Sequence, residues 1–369
     1  MRVNYIFMIV YKNSMSKNYL LNGSGDADDH DIRSHLKKGK HSNPRDENKH
    51  LNDLKAAFVV SLKDVDVTRI GIVSNVFMRK IEVLFENKFH NCVIDNKLPK
   101  EVGKGMVVGD KVTLKEIHGK NFIDHLIERK SVLSRLKSDS TRTGGGNIKS
   151  EQIIAANIDS AVIVASAKNP PLHPGFIDRY LVVLQHNNIE PIICINKADL
   201  GIKNEEILDI YKKIGIKIVK TSVESALGIE ELKKLIKNKT AVLVGNSGVG
   251  KSSLINAITA QSNSMVGSVS LKTGKGKHTT TSSDLFPWAE NSYIIDTPGI
   301  RALEIIKIDK RDLKYYFNEI AKYSTDCKYT DCAHHTENDC GVKVAVKDGS
   351  ISQQRYNSYL KILRGELED

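Results

Sequence analysis

Acidic residues are in short supply in this chain. Its 369 residues carry 44 Asp and Glu against 55 Lys and Arg, so 55 − 44 = 11 positive charges remain. That balance favours polyanionic partners, nucleic acid above all, with a basic surface kept only for solubility as the plainer reading. Cysteine is scarce too, at five residues. Three of them, Cys327, Cys332 and Cys340, crowd one short stretch, whereas Cys92 and Cys194 stand alone in apolar runs. This distribution speaks against a disulfide framework and for reduced thiols in the cytoplasm, with the lone pair as small core residues. Long hydrophobic runs are absent. "YIFMIVY" (Tyr5 to Tyr11) is too short to span a bilayer and has no convincing cleavage site after it, so neither an anchor nor a secretory leader is expected. Met15 is an alternative start. His30, His35, His41 and His50 lack metal-ligand spacing, and residues 1–55 read as a disordered, mildly basic tail. There is no internal repeat.

What is present falls into three rhythms. From Ala56, "AAFVVSL", "RIGIVSNVF", "KIEVLFEN" and "KVTLKEI" are short β-branched runs punctuated by turn formers. They predict a small closed barrel of the OB type over residues 56–137. Such barrels bind oligonucleotides or act as spacers. Lys111, Lys115, Lys120, Arg129, Lys130 and Arg135 favour the first role. Residues 138–150, with "TRTGGGN", form a linker by composition. Beyond it "DSAVIVAS", "PIICINKADL", "IKIVKTS" and "TAVLVGNSG" are continuous apolar runs, the mark of parallel strands buried on both faces. Helical stretches at Phe176–His186, Glu205–Ile214 and Ile229–Ile236 alternate with them, giving a doubly wound α/β domain over 151–308. Residues 309–369 turn helical and polar around the cysteine cluster.

"GNSGVGKSS" supplies Gly245, Asn246, Ser247, Gly248, Val249, Gly250, Lys251, Ser252 and Ser253, a phosphate-loop pattern between a strand and a helix. Glycines let backbone amides approach phosphates, and the helix that starts near Lys251 turns its positive end toward them. Lys251 is expected at the β and γ phosphates, Ser252 at Mg2+. Asp296, opening "DTPG", is a further Mg2+ candidate, and the Gly299 amide a γ-phosphate contact. Asn196, Lys197, Ala198 and Asp199 form "NKAD". A single carboxylate there accepts both N1–H and N2–H of guanine and leaves adenine unpaired. Thr221 and Ser222 are placed to support guanine O6. The base reader precedes the phosphate loop, the reverse of the ordinary order. A circular permutation accounts for this, since every loop would still leave the carboxyl edge of one sheet.

Cys327-x4-Cys332-x-His334-x5-Cys340 offers three thiolates and an imidazole, suited to one structural Zn2+, with His335 as the rival ligand. Barrel, permuted GTPase and this cluster, in that order, resemble the RsgA (YjeQ) family. "EQIIAANID", "FIDRYLVVLQHNNIEPIICINKADL", "GNSGVGKSSLIN", "GKGKHTTT", "DTPG" and "CKYTDCAHHTENDC" carry the likeness. The resemblance implies a GTPase stimulated by the small ribosomal subunit during its late maturation, with the barrel and zinc domain on 16S rRNA. It also places His278 before the threonines and makes Thr280 the Mg2+ threonine. Ile300 stands where Ras-like enzymes carry a water-orienting glutamine. His278, alongside Lys251 and Thr280, is therefore the expected catalytic group, with phosphate or RNA contact as its plainer role. Lys272, Lys275 and Lys277 are candidates for RNA phosphates. A monomer is expected. Two rivals stay open: an RNA-binding assembly module with GTP as a structural ligand, and an ATP-dependent enzyme using the same loop.

Overall fold

The computed structural model describes residues 59–61, 69–77, 80–95, 98, 105–138, 149–260, 283–297 and 308–366. The expected tail, most of the linker, His278, Thr280, Gly299, Ile300 and the lysines of residues 272–277 lie outside them. The chain divides into two compact units, Met1–Val132 with Lys137–Asn157, and Leu133–Leu136 with Ile158–Asp369.

In the first unit the strands are β1 (Val59–Val60), β2 (Ile70–Phe77), β3 (Lys80–Phe85), β4 (Lys88–Ile94), β5 (Lys111–Ile117) and β6 (Lys120–Ile127), with β8 (Lys149–Ala156) after β7 (Val132–Ser138), whose residues are divided between the two units. β2 pairs with β3, β3 with β4, β4 with β6, β6 with β5, and β5 with β2. Five strands thus close a ring, and only the β4–β6 pair is parallel. This is the expected OB-type barrel. Register shifts at Val73/Asn75 and Thr113/Leu114 supply the bends that closure requires. At Gly71 a Cβ would lie 2.3 Å from Val83 Cγ1, so the tight β2–β3 approach needs glycine. Val73, Val83, Val112, Ile123 and Leu126 fill the interior with no exposure.

One expected surface charge is buried here. Arg129 donates through Nε to Asp110 Oδ1 at 2.7 Å and through Nη2 to Oδ2 at 2.8 Å and to Gly105 O at 2.7 Å. Its guanidinium braces the barrel and is not available to an RNA backbone. Lys115 is ion-paired with Asp95, while Lys120 and Lys130 are exposed.

The second unit holds a six-stranded sheet built from β9 (Ser160–Ser166), β10 (Glu190–Asn196), β11 (Lys217–Lys220), β12 (Thr240–Val244), β13 (Asp284–Ala289) and β14 (Ser292–Asp296). Its spatial order is β13–β14–β12–β9–β10–β11, parallel throughout except β13–β14. Every residue of β9 and β12 is buried, as continuous apolar runs demand. The helices are α1 (Pro174–His186), α2 (Glu206–Lys213), α3 (Ile229–Ile236) and α4 (Lys251–Thr259). They match the predicted helical stretches. Leu232, Ile236, Leu254 and Ile258 pack from α3 and α4 onto Val162, Ile192 and Leu243 of the sheet.

The C-terminal part of this unit contains α5 (Asn318–Tyr323), α6 (Gly341–Lys347) and α7 (Gln353–Arg364). Its core gathers Phe317, Ile320, Val342, Ile351 and Tyr359 and includes Val182 of α1. α7 lies against α1 through a buried ion pair. Arg355 Nη1 donates to Asp178 Oδ1 at 2.8 Å, across 177 residues of sequence, and Arg355 Nε donates to Glu319 at 2.6 Å. The guanidinium also stacks 4.3 Å from the Phe317 ring.

Candidate nucleotide site and metal cluster

The ends of β9 and β12 are neighbours at the point where the chain order reverses across the sheet, the place where open α/β sheets bind ligands. β12 ends at Val244 and the phosphate loop begins at once. Gly245 has φ +151°, and a Cβ on it would lie 2.3 Å from Val164 O of β9. Gly250 has φ +95° and caps α4, and a Cβ there would lie 2.3 Å from Asn196 Nδ2. Both positions need glycine, for conformation and for space. Lys251 Nζ lies along the loop, donating to Gly245 O at 2.7 Å and Asn246 O at 2.8 Å. Val249 is buried, whereas Ser247, Gly248, Ser252 and Ser253 face outward.

The NKAD stretch leaves β10 directly beside this loop. Asn196, buried, donates from Nδ2 to Val249 O at 2.9 Å and accepts at Oδ1 from Thr221 Oγ1 at 3.1 Å. Lys197 Nζ donates to Gly248 O at 2.7 Å and to Asn169 O at 2.8 Å. The Ala198 amide donates to Thr221 O, and buried Ser222 is tied to Leu227 O through its amide. Asp199 is exposed within a short 3-10 turn, Ala198–Leu200. Two motifs about fifty residues apart, and in inverted order, are therefore bonded to each other. Asp296 ends β14, parallel to β12. Burial, and then the charge of Asp284 opposite it, push the Asp296 carboxyl up, while Lys251 pulls it down. Asn169 has no signature in sequence, because it contributes a main-chain carbonyl.

The second constellation lies between α5 and α7. Ligand atoms of Cys327, Cys332, His334 and Cys340 all fall within 4.8 Å of one another. Cys327 Sγ is 3.8 Å from Cys340 Sγ, and His334 Nδ1 is 3.4 and 3.5 Å from those two sulfurs. Metal–sulfur bonds of about 2.3 Å in a tetrahedron place sulfurs about 3.8 Å apart, so the cluster fits a tetrahedral metal. Burial holds the His334 imidazole neutral, pulled down to about 4, the form that coordinates. Burial also pushes the Cys332 thiol up to about 12, an environment in which a thiolate calls for a cation. The loop is braced by its surroundings. Tyr356 and Tyr359 hydroxyls donate to His334 O at 2.7 Å and Ala333 O at 3.1 Å. Glu337 accepts from the Ala333 and His335 amides at 2.8 Å each, a role unseen in sequence. His335 turns away, its Nε2 2.6 Å from Arg364 Nη2, and is not one of the cluster.

Comparison with known proteins fits this geometry. The family model described as RsgA GTPase matches residues 126–306. A relative from Borrelia garinii named "Small ribosomal subunit biogenesis GTPase RsgA" is 39% identical over 288 residues, covering 77% of this chain and 90% of its own. The chain belongs to the RsgA GTPase family. It is accordingly a GTP hydrolase. An RsgA from Caldanaerobacter subterraneus is 44% identical over 212 residues, 57% of this chain and 71% of its own. Among solved structures, YjeQ from Thermotoga maritima is similar with a TM-score of 0.63 at 31% identity, over 80% of this chain and 98% of its own. YloQ, titled a circularly permuted GTPase, is similar with a TM-score of 0.59 at 29% identity, over 80% of this chain and 94% of its own. The reversed order of motifs in this chain agrees with that title. Among the described residues no helix is long and apolar enough to cross a membrane.

Proposed function

We propose that this RsgA-family enzyme hydrolyses GTP to GDP and phosphate on the small ribosomal subunit, assisting its late maturation, with turnover stimulated by the subunit. The observation that carries the nucleotide reading is the Asn196–Val249 hydrogen bond, which joins the base reader to the phosphate loop. The printed names of the relatives and the excess of 11 positive charges support the ribosomal partner.

Asp199 selects guanine, with Asn196, Lys197, Ala198, Thr221 and Ser222 shaping its pocket. Gly245 to Ser253 cradle the phosphates and Lys251 neutralises charge on the β and γ groups. Ser252, Thr280 and Asp296 would hold Mg2+, which would supply further charge compensation there. His278 orients or deprotonates the attacking water on the subunit, since the Ile300 side chain offers no polar atom for that task. Cys327, Cys332, His334 and Cys340 would hold Zn2+. Four protein ligands fill its shell, so it is structural. The barrel (56–137) and the zinc-binding region (309–369) flank the GTPase region (151–308) and contact 16S rRNA, and the protein acts in the cytoplasm as a monomer.

The test is GTP turnover titrated with purified small subunits. Turnover should rise with subunit concentration and saturate, and His278→Ala should remove that rise. A flat titration would overturn the ribosomal assignment. Nucleotide competition in Asp199→Asn tests the base reader separately: preference for GTP over ATP should be lost.

A further inference from the structure

The chain leaving β9 reaches the nucleotide site by a route that no motif marks. Ser166 turns it, donating from Oγ to Lys168 O at 2.5 Å. The Ala167 amide donates to Asn196 O at 2.8 Å and carries the β9–β10 ladder one residue past the strand ends. Asn169 follows with φ +53°, and its carbonyl accepts from Lys197 Nζ, which also holds Gly248 O. Lys197 is itself left-handed, at φ +57°. Two non-glycine residues in this sparsely used region thus meet through one ammonium group. Such outliers persist where surrounding structure enforces them and gather at functional sites. The Asn169 side chain is exposed, so the residue type matters here through its backbone. Asn is among the L-residues that tolerate this conformation best.

We propose that Asn169 is a positioning residue for guanine nucleotide. Its left-handed backbone turns a carbonyl onto Lys197 and so fixes that ammonium against the phosphate loop. Three loops, after β9, β10 and β12, then meet at Lys197 Nζ. Nucleotide stays bound for as long as that junction holds the base reader and phosphate cradle in register. The inference rests on the guanine reading of the site and goes beyond it by naming what sets nucleotide residence time.

The experiment measures release of a fluorescent GDP analogue from the full chain. Asn169→Gly keeps the backbone conformation and should retain slow release. Asn169→Val, β-branched, resists φ near +53° and should release about tenfold faster, the worth of one charge-assisted hydrogen bond. Asn169→Ala should fall between them, and serves if the valine variant melts at the assay temperature. In a Lys197→Ala background the Asn169→Val change should add less than about twofold, because the bond it disturbs is already gone. Wild-type release from both Asn169→Val and Asn169→Ala would overturn the proposal, as would an undiminished effect in the Lys197→Ala background. Asp199→Asn is run in parallel. If it loses guanine preference while the Asn169 variants behave as wild type, only the present inference falls. If guanine preference survives in Asp199→Asn, the guanine reading fails, and this inference with it.

Discussion

Truncating Asn196 to alanine takes a donor from Val249 O and an acceptor from Thr221 Oγ1, both in buried surroundings. Thr221 Oγ1 keeps Cys194 Sγ at 3.2 Å, whereas the Val249 carbonyl is stranded at about 1–3 kcal/mol. Asn196→Ala should therefore weaken GDP binding at least about tenfold in a calorimetric titration. Gly250→Ala is expected to be as severe, because the new methyl falls on Asn196 Nδ2 and φ +95° is strained for alanine. Both sites were legible in the sequence, since glycine spacing and the NKAD tetrad are properties of residue type. The contact between them was not, because its partners stand 53 positions apart in the chain. Asn169 was invisible for a different reason: any residue has a carbonyl, and only the fold aims it. Arg129 was misread outright. Nothing in "IERK" distinguishes a guanidinium on the surface from one closed onto Asp110.

Between elements, the contact to probe is α7 against α1. Arg355 and Asp178 are almost wholly buried, and Glu319 and the Phe317 ring complete the guanidinium's surroundings. Removing one partner of such a pair strands the other charge, at about 3–5 kcal/mol. Arg355→Met should lower the urea unfolding free energy of this unit by that order, and Asp178→Asn should recover part of the loss in the double variant. Equal stability of Arg355→Met and wild type would show that the pair contributes nothing. Helix α1 and the strands of the sheet were readable from periodicity and apolar runs. Their union with α7 was not, since the partners lie 177 residues apart and an Asp or an Arg reads as surface by default.

For the molecule as a whole, the five cysteines divide as the sequence suggested, and a thiol titration exposes the division. Burial pushes the Cys92 thiol to about 11 and the Cys194 thiol to about 12, so at pH 8 both remain protonated inside their cores. With metal bound, Cys327, Cys332 and Cys340 should be masked as well. Chelation should release these three to a thiol reagent at pH 8 and lower the helical circular dichroism of α5 to α7, while Cys92 and Cys194 stay unreactive until the protein is denatured. Five reactive thiols in the metal-loaded native protein would contradict both the cluster and the cores. Composition revealed the cluster because its spacing is local. The closed ring of the barrel depended on the β4–β6 and β2–β5 pairings, which no short window of sequence contains.

The inverted order of strands has a consequence for the protein's own synthesis. β9 is made first, yet its neighbour β12 pairs with it from Ser160 to Ala241, some eighty residues later. A growing chain can assemble β9, β10 and β11 early, but the Gly245–Ser253 loop cannot form until β12 and the chain behind it have left the exit tunnel. In the ordinary order the phosphate grip would be translated first. Here ligand-assisted folding of the nascent enzyme is deferred until β9, β10 and β11 have already emerged.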